Sequence, residues 1–126
     1  MTGPAIHILD DDAPFRESLA FMLSAHGFGV TTHGDPLTFL RAFSVAESCC
    51  VICDIRMPGI SGVEVTRRLR SRGFDAGIIL ITGHADAALV ELASKAGATL
   101  LLEKPFPAAT LIAVINGLAG DAGATA

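Results

Sequence analysis

Four apolar runs in this chain end in groups that can do ionic chemistry. Ala5-Ile6-His7-Ile8-Leu9 runs into Asp10-Asp11-Asp12, and Cys49-Cys50-Val51-Ile52-Cys53 carries Asp54 at its end. Gly77-Ile78-Ile79-Leu80-Ile81 leads to Thr82, and Thr99-Leu100-Leu101-Leu102 leads to Glu103-Lys104. Short, unbroken apolar runs mark strands buried on both faces of a parallel sheet. In an open parallel sheet, ligands bind beyond the carboxyl ends of the strands. With the first and third strands adjacent, three carboxylates converge. Two unit charges ~5 Å apart at an effective dielectric of ~20 repel by about 3 kcal/mol, so the cluster requires a cation or a raised pKa. Oxygen donors suit a hard divalent ion: Mg²⁺ (or Mn²⁺) takes one or two carboxylates, keeps waters and binds phosphate oxygens. Lys104 adds a point charge for a phosphate and Thr82 a hydroxyl. The set describes a site for a phosphoryl group in transfer, with Asp54 as nucleophile and the ion and Lys104 neutralising the oxygens.

The elements that must position these groups follow from periodicity and punctuation. Pro14 opens a helix with Phe15, Leu19, Met22, Leu23 and His26 at helical spacing, stopped at Gly27. Residues 29–33 form a short strand, and Asp35-Pro36 reads as an N-cap followed by an N1 proline, with the helix carrying Leu37, Leu40, Ala42 and Phe43. After the strand at 49–54, Pro58-Gly59 makes a sharp turn and Ser61 caps a helix with Glu64 three residues on. Asp86 caps a helix through Leu89, Leu92 and Ala93, closed at Gly97. A last helix from Pro107 places Leu111, Val114, Ile115 and Leu118 on one side. Strands and helices alternate with short loops and no repeat, which predicts an α/β fold: a doubly wound five-stranded parallel sheet with right-handed crossovers and strand order 2-1-3-4-5.

At 126 residues the chain is one domain, with a core of about 5–119 and a flexible tail or linker start at 120–126. The apolar fraction of 51% fits a sheet covered on both faces, yet no run approaches the ~18 residues of a membrane span. The start lacks the pattern of a signal peptide, so the expected location is cytoplasmic. A net charge of −4 argues against whole-domain attraction to nucleic acid. Zinc is not expected at Cys49, Cys50 and Cys53, because strand residues alternate faces and no second ligand pair follows; they read as free, mostly buried thiols.

Asp10-Asp11, Asp54 with Met57-Pro58-Gly59, Thr82-Gly83 and Lys104-Pro105-Phe106 resemble the receiver domain of bacterial two-component response regulators, over about residues 5–119. Ser18-Leu19-Ala20-Phe21-Met22-Leu23, Ile81-Thr82-Gly83-His84 and Glu103-Lys104-Pro105-Phe106 are similar to the nitrogen-fixation subgroup, which usually joins the receiver to a DNA-binding domain. The resemblance implies a phosphoacceptor that catalyses only its own phosphorylation and dephosphorylation. Asp54 takes phosphate from a histidine kinase or histidine phosphotransfer protein. Asp11, Asp54 and the Arg56 carbonyl ligate Mg²⁺, and Asp10 acts through water. Thr82 and Lys104 hold the phosphoryl group, and Lys104-Pro105 is a cis peptide. The output surface, and the surface of a possible homodimer, is the fourth helix with the fifth strand. One residue departs from the family pattern: Leu101 stands where the family has the Phe or Tyr that relays phosphorylation. A weakened two-state element follows.

His84 and Arg56 either tune the lifetime of the acyl phosphate or are plain surface groups. Asp12 is either part of the acidic site or a first-turn acid opposite the helix dipole. His7 reads as a satisfied near-core histidine, His26 and His33 as surface groups, and the run Arg67-Arg68-Leu69-Arg70-Ser71-Arg72 as a solvated helix face. A flavin-binding reading on the same topology fails because Asp10-Asp11-Asp12 repels a cofactor phosphate. A metal-dependent phosphatase needs an acid where Arg56 stands. The alternative kept open is a receiver-like interaction domain that works without phosphate.

Overall fold

The computed structural model describes residues 5–125. Its elements run β1 (Ala5–Leu9), α1 (Ala13–Ala25), β2 (Gly29–His33), α2 (Pro36–Ala42), β3 (Cys49–Asp54), α3 (Gly62–Ser71), β4 (Ile78–Thr82), α4 (Ala87–Ala96), β5 (Leu100–Glu103) and α5 (Ala108–Thr125). All strands pair in parallel in the order β2-β1-β3-β4-β5, as the alternation predicts. The sequence boundary at 120 falls inside α5, and residue 126 lies outside the described residues.

The side-chain alternation of the central strands builds two cores. Cys49, Val51, Cys53, Ile78 and Leu80 pack with Phe39, Leu69 and Phe74 on one face of the sheet. Ile6, Ile8, Ile52, Ile79 and Ile81 pack with Leu19, Leu23, Leu111 and Ile115 on the other. Each such aliphatic side chain stabilises by roughly 1.5–3 kcal/mol relative to exposure. The three thiols are free and buried, as expected.

Four helices start on a side-chain cap: Asp12 accepts from Phe15 N, Asp35 from Leu37 N, Ser61 from Glu64 N and Asp86 from Leu89 N. Asp12 is thus the cap of α1. Thr99, read as strand, lies just ahead of β5; its hydroxyl accepts from Ile78 N at 3.1 Å.

The arginine run is only partly a solvated face. Arg67 and Arg68 pair with Glu64 in the open, but Arg70 turns inward. Its guanidinium donates to the carbonyls of Gly97 (2.9 Å), Phe74 (2.9 Å) and Ala76 (2.7 Å), tying α3 to the connections before β4 and β5. Arg72 likewise donates to Leu40 O at 2.5 Å. Arg70→Met should cost about 2 kcal/mol in a urea titration, since it strips a charged donor from three carbonyls. Arg70→Lys should recover little of it, because an ammonium cannot reproduce the planar fork.

Candidate functional site

Each strand of the central pair delivers its polar terminus to the same end of the sheet. Asp10 follows β1 and is 2% exposed; its Oδ1 accepts from Asp12 N at 2.9 Å. Asp11, next in the chain, is exposed, and Asp54 ends β3 half-buried. Pairing of β1 directly with β3 brings the three together: one oxygen from each of Asp10, Asp11 and Asp54 lies within 4.8 Å of the others. Thr82 ends β4 and is buried, and Lys104 follows β5. The Lys104 amine stands 3.6 Å from Asp10 Oδ2, and its backbone N donates to Thr82 O at 2.7 Å. The Lys104-Pro105 peptide is cis.

Charge crowding shows in Asp54. Burial, and then the neighbouring Asp10 carboxylate, push its carboxyl up to about 6; Lys104 and the Arg56 backbone N–H oppose the rise, and Asp11 adds to it. Three hard oxygen donors with one amine, set around a buried Asp10, are short of positive charge, and a divalent cation fits them.

The remaining predicted positions divide. The Thr82 hydroxyl is engaged with His84, donating to its carbonyl and accepting from its N–H, both at 3.3 Å. The His84 ring itself is exposed, 4.0 Å from the Glu103 carboxylate. Arg56 and Pro58 are exposed, and Gly59 turns with φ +87°. Leu101 is half-buried on β5 beside a cavity of about 230 Å³ lined by Val90, Ala93, Ser94 and Ala98.

Three supports escaped the sequence reading. Lys104 Nζ lies 3.9 Å from the Phe15 ring centroid, a cation–π contact that holds the amine over α1. Arg16 donates to the Asp10 carbonyl at 2.6 Å. Phe15 sat in the apolar spacing of its helix and carried no separate signal, whereas Arg16 close behind an acidic triplet was a readable hint. The third is Gly62, whose amide donates to Ile55 O at 2.9 Å.

An open parallel sheet with this acid, hydroxyl and amine set at its carboxyl end defines a phosphoacceptor class of signalling domain. The chain belongs to the response regulator receiver domain family, which it matches over residues 6–116. It is similar to the transcriptional regulatory protein FixJ of Azorhizobium caulinodans, 44% identical over 115 residues that cover 91% of this chain and 54% of the relative. The C4-dicarboxylate transport transcriptional regulatory protein DctR of Rhodobacter capsulatus is 37% identical over 80% of this chain and 52% of its own length. The chain thus spans about half the length of these relatives. Among solved structures, the crystal structure of FixJ-N superposes with a TM-score of 0.86 at 38% identity, covering 95% of this chain and 96% of the other. Full-length FixJ from B. japonicum superposes with a TM-score of 0.81 at 40% identity, covering 94% of this chain and 58% of that one. Among the described residues no helix is long and apolar enough to cross a membrane.

Proposed function

We propose that Asp54 accepts a phosphoryl group from the phosphohistidine of a histidine kinase or histidine phosphotransfer protein, in a Mg²⁺-dependent reaction in the cytoplasm. The observation that carries this reading is the meeting of three carboxylates and one amine from β1, β3 and β5 at a single point. An Asp54 oxygen attacks phosphorus in line, the bond from phosphorus to the imidazole nitrogen breaks, and the imidazole leaves. A carboxyl with a pKa of about 6 is ionised at neutral pH, yet more basic than a solvated aspartate. Asp11, Asp54 and the Arg56 carbonyl would hold Mg²⁺ (or Mn²⁺), with Asp10 bound through water; the ion would offset charge on the phosphoryl oxygens. Lys104 pairs with one of those oxygens. Thr82 leaves the His84 backbone to donate to another.

The swing of Thr82 is the step that reaches the face of α4 and β5, where a partner or a second copy docks. The relatives are described as transcriptional regulatory proteins; we infer that the output is transcriptional, either directly or through a separate partner, with no nucleic-acid contact by this acidic domain. The test is incubation with a small acyl phosphate, with and without Mg²⁺, followed by intact mass. One added phosphoryl group that requires the metal supports the reading, and an unchanged mass overturns it.

Leu101 favours the alternative of a phosphate-independent interaction domain, because a leucine beside the α4–β5 cavity gives a softer relay than a ring. Leu101→Phe should fill that space and strengthen phosphorylation-dependent self-association, read by sedimentation with and without phosphodonor. Equal association of the two phosphorylated proteins would count against the relay.

A further inference from the structure

The face of the sheet beneath α2 holds a second cluster of ligating groups that the phosphoacceptor site does not use. His7 on β1, Glu47 on the connection between α2 and β3, and Cys49 on β3 each offer one donor atom, all within 4.8 Å of one another. His7 Nε2 contacts the Glu47 carboxylate, and His7 Nδ1 lies 2.9 Å from His33 Nε2 on β2. The cluster opens onto a cavity of about 90 Å³ lined by both histidines, Glu47, Phe39, Ala42 and Phe43. Cys49 and Asp54 stand at opposite ends of β3, about 16 Å apart along the strand.

We propose that His7 Nε2, Glu47 and the Cys49 thiolate form a binding site for a divalent transition ion of the zinc class. Five observations lead there. The donors are one imidazole, one carboxylate and one thiol, a borderline-to-soft set that suits Zn²⁺ and its neighbours and not Mg²⁺. A carboxylate and a thiolate together cancel the charge of a divalent ion, so a neutral centre replaces a partly buried anion. The His7 ring is already fixed: it lies within 19° of the plane of the His33 ring, centroids 5.2 Å apart, and meets Phe43 edge-on at 5.3 Å. Its far nitrogen has a partner, as the outer nitrogen of a ligating histidine nearly always does. Glu47 is exposed, which leaves an entry path and room for a water as fourth ligand.

The protons balance simply. With both rings neutral and no ion bound, His33 Nε2–H donates to His7 Nδ1 and His7 Nε2–H donates to Glu47. Binding at His7 Nε2 moves that ring's proton to Nδ1, which then donates to His33 Nε2, and His33 carries its own proton on Nδ1. Burial lowers the His33 pKa and favours the neutral ring that can accept. Burial and Glu47 push the Cys49 thiol up to about 12, so it enters the reaction protonated. One proton per ion, that of the thiol, is released to solvent. The bound ion would tie the connection before β3 to β1.

Co²⁺ added to the Mg²⁺-saturated protein is expected to give a thiolate charge-transfer band and the visible bands of a four-coordinate ion. Cys49→Ser should lose the charge-transfer band. His33→Gln, which removes only the outer partner, should weaken binding about tenfold or more. Asp54→Asn, which disables the phosphoacceptor, should leave the spectrum unchanged. No charge-transfer band at about a tenfold excess of Co²⁺, or the same band in Cys49→Ser, would overturn the assignment. Should a variant fold poorly, zinc-edge absorption of the unmutated protein with one equivalent of Zn²⁺ decides it: one sulphur in the coordination shell supports the site, and a shell of nitrogen and oxygen alone overturns it.

Discussion

Asp54→Asn is expected to abolish phosphoryl uptake and, in the same protein, to raise the melting temperature measured at pH 7.5 without divalent ions. The first effect is all or none in an intact-mass measurement, because the amide has no nucleophilic carboxylate oxygen. The second follows from the charge crowding at the carboxyl ends of β1 and β3. Burial, with Asp10 beside it, raises the Asp54 carboxyl from 3.8 to about 6 in the fold. Between those values the folded chain binds more protons than the unfolded one, so stability falls as pH rises through this window. The deficit is complete above about pH 6. With allowance for solvent around a half-buried group, the deficit is about 1–2 kcal/mol, or on the order of 3–8 °C in a domain of this size.

The gain should therefore shrink as pH falls from 6 through 3.8, below which the wild-type carboxyl is protonated in both states. Mg²⁺ should act unequally on the two proteins. It should raise the wild-type melting temperature at pH 7.5, since a ligand of the folded state alone stabilises it, and it should do less for Asp54→Asn, which has lost one anionic donor. Equal melting temperatures at pH 7.5 without metal would mean that the carboxylates are relieved some other way.

The sheet order and the meeting of the acids with Lys104 were legible because both depend on strand-length apolar runs that end in a polar group. Asp10, Asp11, Asp54, Thr82 and Lys104 each sit one or two steps past such a run, and parallel pairing does the rest. What escaped depends on contacts between segments far apart in sequence. Arg70 reads as one arginine among several on a polar helix face; only the fold places three carbonyls in its reach. His33, expected at the surface, is half-buried against His7 and Phe39 because α2 packs over the middle of β1 and the close of β2. Cys49, rightly separated from Cys50 by strand alternation, finds its neighbours instead in His7 and Glu47, on other elements. Pairwise spacing within a run cannot reveal partners brought in by the sheet.

Gly62 shows the same limit at a single atom and carries the largest expected loss of stability. In sequence it is only the first residue after the Ser61 cap, and a glycine inside a helix start costs up to about 1 kcal/mol relative to alanine. That unfavourable choice was the available hint, since a glycine kept against propensity often marks a close backbone approach. In the fold, a Cβ at Gly62 would stand 2.5 Å from the Asp54 carbonyl oxygen and 3.0 Å from Ile55 Cα. Both obstacles are backbone, so no rotamer change relieves them. Moving them also moves Asp54, the proposed phosphoacceptor, and strains the Gly62 N to Ile55 O hydrogen bond. Overpacking of this kind costs up to about 3 kcal/mol or more, well above the helix-propensity gain. Gly62→Ala should therefore lower the urea midpoint by the equivalent of about 2–4 kcal/mol and slow phosphoryl uptake in whatever fraction stays folded. Gly117→Ala is the matched control: it lies within α5 with nothing within 4 Å of its Cβ position, and should stabilise by about 0.5–1 kcal/mol. If both alanine variants shift the midpoint upward, the α3 start has more room than the Asp54 carbonyl allows, and the close packing of that turn on β3 is not what holds Asp54 in place.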